Sequence, residues 1–245
     1  MSDIGELNKQ VSESEAYQTH IFLGELHTNH YVVVRNIQEL QGFLAKCEDP
    51  DSLAQLWAYG KKERLDDAMS EVTRLLLNYL TSASARVEST RNMMRRRYGA
   101  QPFFKVYQNE VNRLFKGNAL VEFVEGLRNY SVHYALPVVG GKWQFDQTSG
   151  MRHYFVLDKD YLLSSGFDWH KKGEAYLRQS GDEIIIREFT WGHFVRIHNF
   201  QVWLEQRLHT MHKGELDWLY AASAEIGAAV KKIYKNIGVQ TDASP

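Results

Sequence analysis

The sequence is short of cysteine, of proline and of net charge. Its single cysteine, Cys47, excludes a disulfide framework and any multi-cysteine zinc or iron–sulfur centre. Four prolines in 245 residues leave long stretches in which helices run unbroken. No stretch approaches the roughly 18 consecutive apolar residues that a membrane helix needs. Lys and Arg number 29 against 30 Asp and Glu, a formal net charge of −1. No global field therefore draws the chain to nucleic acid, and an RNA-binding role requires a local basic patch. The opening Met1-Ser2-Asp3-Ile4-Gly5-Glu6 is polar and acidic. It fits neither a secretory signal nor an Arg-rich transit peptide, so the cytoplasm is the expected compartment.

What remains is an ordinary globular composition, 44% hydrophobic and 24% charged. The apolar residues recur mostly at helical spacing. Ile4, Leu7 and Val11 make a weak amphipathic helix over 4–16, and Val33, Ile37, Leu40 and Leu44 a stronger one from Tyr31 to Cys47. Asp49-Pro50-Asp51-Ser52 breaks the chain before a short helix through Leu53, Leu56 and Trp57. A long helix follows from about Leu65 to Tyr98, with Met69, Val72, Leu76, Tyr79 and Leu80 on one side and Gly99 at its end. Pro102 starts another, and Gly117-Asn118 caps a helix from Ala119 to about Tyr134, closed by Pro137.

The period changes after that. Gly140-Gly141, Ser149-Gly150, Ser165-Gly166 and Gly181-Asp182 punctuate two strand-like runs, His153–Leu157 and Glu183–Arg187. Helical turns are expected between them at Tyr161–Leu163 and Glu174–Leu177. Helix resumes with Phe194, Ile197, Leu204, Leu208 and Met211, and a final helix carries Leu219, Ile226, Val230 and Ile233. The expected fold is mainly α, an antiparallel helical bundle with a small β-containing insertion. Its parts are the bundle's N-terminal portion over 1–137, the insertion over 138–190, C-terminal helices of the same unit over 191–238, and a tail over 239–245.

Familiar chemical signatures are missing. There is no Walker A loop, no Gly-x-Gly-x-x-Gly, no Gly-x-Ser-x-Gly and no His-Glu-x-x-His. Two His-x-x-His pairs occur, His27/His30 and His209/His212. Neither pair belongs to a recognised motif that supplies a third ligand, so no metal or other cofactor is expected, and partly buried or exposed histidines are the plainer reading. The strongest charge cluster is Arg91, Arg95, Arg96 and Arg97. From Arg86 to Lys105 six positive charges face one negative, Glu88. Either this is a solvated helix face with Glu88, Arg91 and Arg95 along one ridge, or it is a stripe that contacts RNA phosphates.

The segment Leu127-Arg128-Asn129-Tyr130-Ser131-Val132-His133 is the most informative. Three Arg–His pairs stand five or six residues apart, Arg128/His133, Arg187/His193 and Arg207/His212. Only Arg128 is followed by Asn, late in an amphipathic helix of a bundle-like series. This segment resembles the Arg-x(4–6)-His motif of the HEPN superfamily, helical proteins found among toxin, phage-defence and CRISPR ribonucleases. The resemblance covers the motif and the helical plan of roughly residues 30–137, and leaves the insertion and later helices unassigned. It implies a metal-independent endoribonuclease of the toxin or antiviral defence type, with an antitoxin or defence partner, acting on RNA as a homodimer. Arg128 would stabilise the phosphate, Asn129 would orient it or the histidine, and His133 would be general acid or base.

Those residue types suit that reaction. When the RNA 2′-OH attacks the adjacent phosphorus, the catalyst must move a proton and brace negative charge, and no metal is required. A histidine titrates near neutrality, and an arginine stays charged and can hold phosphate oxygens bidentately. Asn129 and His133, four apart, share a helix face. Arg128 and His133, five apart, differ by about 140° around the axis, so one helix aims them poorly at one phosphate. A long Arg stem, a kink before Pro137 or a second copy would have to bring them together. Two other functions stay open. One is a non-catalytic helical module that binds RNA, nucleotide or a partner protein, which the lack of net positive charge favours. The other is a metal-dependent enzyme built on one of the histidine pairs.

Overall fold

The computed structural model describes residues 2–49, 52, 62–146, 150–181 and 183–236. These residues are mainly helical with one small antiparallel sheet, the expected class. Its elements are α1 (Ser2–Glu13), α2 (Glu15–Glu48), α3 (Lys62–Tyr98), α4 (Pro102–Phe115), α5 (Ala119–His133), β1 (Val139–Asp146), β2 (Gly150–Leu157), α6 (Lys159–Ser164), α7 (Lys171–Gln179), β3 (Ile184–Ile185), α8 (Ile186–Met211) and α9 (Lys213–Asn236). The helix expected through Leu53 and Trp57 and the tail over 239–245 lie outside the described residues.

Two compact units divide the chain. The first takes the chain up to Thr28 and again from Val202. Its small core joins Val11 and Ala16 to Leu219 and Ala222, with Leu7 and Ile226 alongside. The second runs from Asn29 to Gln201 and holds the main core, so positions 137 and 190 both fall inside it.

That main core follows the helical period. Val33, Ile37, Leu40 and Leu44 on α2 and Val72, Leu76, Tyr79 and Leu80 on α3 are all buried. On α5, Phe123, Val124, Leu127 and Tyr130 are buried, whereas Tyr134 is exposed just past the helix end. Asn118 caps α5 by accepting a hydrogen bond from the Val121 amide at 3.2 Å. The preceding Gly117 has φ +73°, a left-handed turn that favours glycine.

The segment after Pro137 packs into this core. Phe155, Leu157, Leu162, Trp169 and Leu177 belong to the same cluster as α2, α3 and α5. Phe123 is stacked on Tyr176 with 4.7 Å between ring centroids and meets Phe189 edge-on at 5.3 Å. The sheet has the order β1-β2-β3, with Trp143 opposite His153 and Val156 opposite Ile185.

Three local expectations change. β1 is a full strand although Gly140-Gly141 reads as a turn, since Gly140 pairs with Val156 and Gly141 with Phe155. The strand expected over Glu183–Arg187 is only Ile184–Ile185, and α8 begins at Ile186 instead of near Phe194. A short apolar run cannot by itself separate strand from helix. Finally, α2 starts at Glu15, well before Tyr31, with Phe22, Leu23 and Leu26 buried along its first turns.

Candidate functional site

Helix α5 carries the three motif residues, and they have different surroundings. Arg128 is half-buried. Its Nη1 donates to Asn129 Oδ1 at 3.0 Å, while its Nε is enclosed and makes no hydrogen bond. Asn129 is half-buried and His133 exposed on the last turn. Exposed apolar residues flank His133 in the chain: Val132, Tyr134, Leu136 and Val138.

Arg128 lines a cavity of about 380 Å³ bounded by α3, α4, α5 and α8, all within the second unit. Asn129 and His133 are not among its lining residues. Arg86, Thr90 and Arg91 enter from α3, Tyr107 and Phe115 from α4, and His193 and Phe200 from α8. Arg86 is only 3% exposed; its Nη2 donates to Gln201 Oε1 at 2.5 Å, and its guanidinium lies 5.9 Å from the Phe200 ring centre.

His193 is buried in this wall, its Nδ1 2.8 Å from the Tyr79 hydroxyl. That hydroxyl is also 3.2 Å from the Thr190 carbonyl. One arrangement serves both contacts: Nδ1–H donates to Tyr79, and Tyr79 O–H donates to Thr190. Burial first, and then the nearby Arg196 and Arg86 guanidinia, push the His193 pKa down to about 3. The imidazole is therefore neutral at pH 7.

The basic stripe is divided. Arg91 lies on the cavity wall and pairs with Glu88 at 2.9 Å. Arg95 and Arg96 are exposed on the last turns of α3, and Arg97 lies against the Tyr98 ring, its guanidinium 6.0 Å from the centroid. The histidine pairs are engaged singly. His30 Nε2 is 3.0 Å from His198 Nδ1, His27 is 3.8 Å from Glu205, and His212 bonds Glu215 at 3.0 Å. Among the described residues no group of three or more His, Cys, Asp or Glu is placed to hold a metal ion.

Sequence reasoning singled out Arg128 but passed over Arg86, Thr90 and His193. One signal was available. Tyr79, Ala83, Arg86, Thr90 and Met94 continue one buried stripe at spacings of three and four, and a charged residue on such a stripe marks a polar site inside the core. Among the described residues no helix is long and apolar enough to cross a membrane. No family model, no curated protein and no solved structure matches this chain.

Proposed function

We propose that this chain is a HEPN-like, metal-independent endoribonuclease whose active site joins Arg128 and Asn129 of one copy to His133 of another. The observation that carries the reading is the state of Arg128. Its guanidinium is oriented by Asn129, no carboxylate among the described residues pairs with it, and one enclosed N–H has no acceptor. A phosphate oxygen is the acceptor that such a group suits best.

His133 stands in solvent on the same helix but outside the cavity that Arg128 lines. A second copy docked on the apolar residues around His133 brings the two groups to one phosphate, which a single helix aims poorly. His133 then passes the proton between the 2′-OH and the leaving 5′ oxygen while Arg128 holds the charge that develops on phosphorus. The exposed Arg95 and Arg96 lie ready for the flanking strand. In a cell this activity suits a cytoplasmic toxin or antiviral effector restrained by an antitoxin.

The test is incubation of the purified chain with total RNA in EDTA, comparing wild type with His133→Ala. Cleavage that persists in EDTA, leaves 2′,3′-cyclic phosphate ends and disappears in the variant is the expected result. EDTA-sensitive cleavage, or full activity in the Arg128→Ala/His133→Ala double variant, would move any nuclease activity to another site.

A further inference from the structure

The cavity on α3, α4, α5 and α8 has the three kinds of wall that one class of small molecule requires. Its volume, about 380 Å³, falls within the range of about 300–1,000 Å³ usual for small-ligand sites. One part is cationic. Arg86 and Arg128 reach it from different helices, and Gln201 and Asn129 fix their orientations. A guanidinium shut away from water needs compensating charge and hydrogen bonds, and the enclosed Nε–H of Arg128 has neither a carboxylate nor another acceptor among the described residues, so this part suits an anion.

Hydrogen-bonding capacity lies unused beside it. Thr90 is 2% exposed, lies one helical turn beyond Arg86, and its hydroxyl has no partner; the Arg128 Nε–H is likewise unspent. A buried donor left without a partner is costly, and a ligand oxygen that accepts from it removes that cost. The neutral His193 imidazole lines the same wall.

A second part is aromatic and apolar. Tyr107, Phe115 and Phe200 line it, the two phenylalanines meeting edge-on with centroids 5.3 Å apart. A third part accepts hydrogen bonds. Glu88 is engaged by Arg91, but Glu122 and Glu125 also line the cavity, and carboxylates there suit ligand hydroxyls. Phosphate, hydroxylated middle and flat ring together describe a nucleotide.

We propose that this cavity binds a nucleoside monophosphate, with the phosphate on Arg86, Arg128 and Thr90, the ribose hydroxyls toward Glu122 and Glu125, and the base among Tyr107, Phe115 and Phe200. The site shares Arg128 with the ribonuclease reading but does not rest on it, because binding needs neither His133 nor a second copy. The same chemistry arrives from two sources, a free mononucleotide or one nucleotide of an RNA strand.

The experiment is calorimetric titration of the full chain with AMP, adenosine, inorganic phosphate and a non-cleavable 2′-O-methyl trinucleotide. AMP should bind at least about tenfold more tightly than adenosine or phosphate, since each of those lacks one part of the ligand. Arg128→Gln should weaken AMP by about tenfold or more, through loss of a charge-assisted bond. Val111→Phe, which adds volume at a residue lining the cavity, should exclude AMP while circular dichroism stays helical. A trinucleotide that competes with AMP and binds more tightly identifies the occupant as an RNA strand; AMP binding more tightly identifies a free nucleotide. Absence of AMP binding, equal affinity for AMP and adenosine, or binding untouched by both variants overturns the assignment. RNA cleavage, measured separately, keeps the two readings apart. AMP binding without cleavage upholds the cavity and removes the ribonuclease, and cleavage without AMP binding does the reverse.

Discussion

Arg128 Nη1 donates to Asn129 Oδ1 at 3.0 Å, a bond between adjacent residues whose side chains leave α5 about 100° apart. Only the length of the arginine side chain allows it. The bond turns the guanidinium and leaves its charge unneutralised, since an amide oxygen accepts without carrying a full charge. Asn129→Asp would put a carboxylate in the same place and form an ion pair. RNA cleavage should then fall by about tenfold or more, with the fold unchanged by circular dichroism, because the guanidinium would meet phosphate already paired. Cleavage at the wild-type rate in Asn129→Asp would remove any orienting role from this bond.

Acid should destabilise the second unit through His193. Its folded pKa, about 3, lies far below the usual imidazole value of about 6.5. The unfolded chain therefore takes up a proton that the folded chain refuses between those values. Stability is full above about pH 6.5 and falls as the pH drops toward 3. His153, also lowered by burial, acts in the same direction. Chemical denaturation at pH 7 and pH 5 should show the loss, and His193→Gln, which cannot titrate, should flatten the slope. An unchanged slope in that variant would place the acid sensitivity elsewhere.

Helix α7 rests on the backbone of α5 through a glycine. A side-chain carbon at Gly173 would lie 3.2 Å from the Glu122 carbonyl oxygen and 3.4 Å from the Phe123 Cα. These are main-chain atoms and cannot swing aside. Gly173→Val should therefore cost about 1–3 kcal/mol in overpacking, despite valine's better helix propensity, and lower Tm by several degrees. A Tm equal to wild type would mean that α7 shifts freely on α5.

Much of this architecture is written locally. The buried set Val33, Ile37, Leu40 and Leu44 reads directly as a helix, and Asn118 announces the start of α5 through its own side chain. β1 is illegible for a local reason: Gly140 and Gly141 carry no strand propensity, and only pairing with Val156 and Phe155 holds them extended. The cavity is illegible for a tertiary one. Arg86 and Thr90 sit on α3, Arg128 on α5 and His193 on α8, and no spacing in the chain shows that these helices share a wall. The motif on α5 is short enough to see, whereas the enclosed place of Arg128 and the solvent position of His133 depend on packing by neighbouring helices.

The exposed end of the basic stripe allows a direct electrostatic test. Arg95 and Arg96 are exposed, while Arg91 is tied to Glu88 and faces the cavity. If the first two meet RNA phosphates, each Ala substitution should reduce the salt dependence of binding by roughly one unit of slope, without changing sequence preference. Arg91→Ala should have a smaller effect on that slope. Equal affinity and slope in Arg95→Ala/Arg96→Ala and wild type would make the stripe a solvated helix end that complements the helix dipole.

The two-copy arrangement of the active site predicts rescue between inactive proteins. Alone, Arg128→Ala and His133→Ala should each lose cleavage by about 10²–10⁴-fold, the usual scale for charge stabilisation or proton transfer. In a mixed dimer, one site contains both defects and the other contains neither, because each site takes its arginine from one copy and its histidine from the other. Equal mixing with free exchange makes about half the dimers mixed, and half the sites in those are intact, so activity should recover to about a quarter of wild type. Recovery should require exchange, and should vanish when Leu136→Glu places a charge on the exposed apolar residues beside His133. A mixture no more active than its components would place Arg128 and His133 of one chain on the same phosphate, or neither of them.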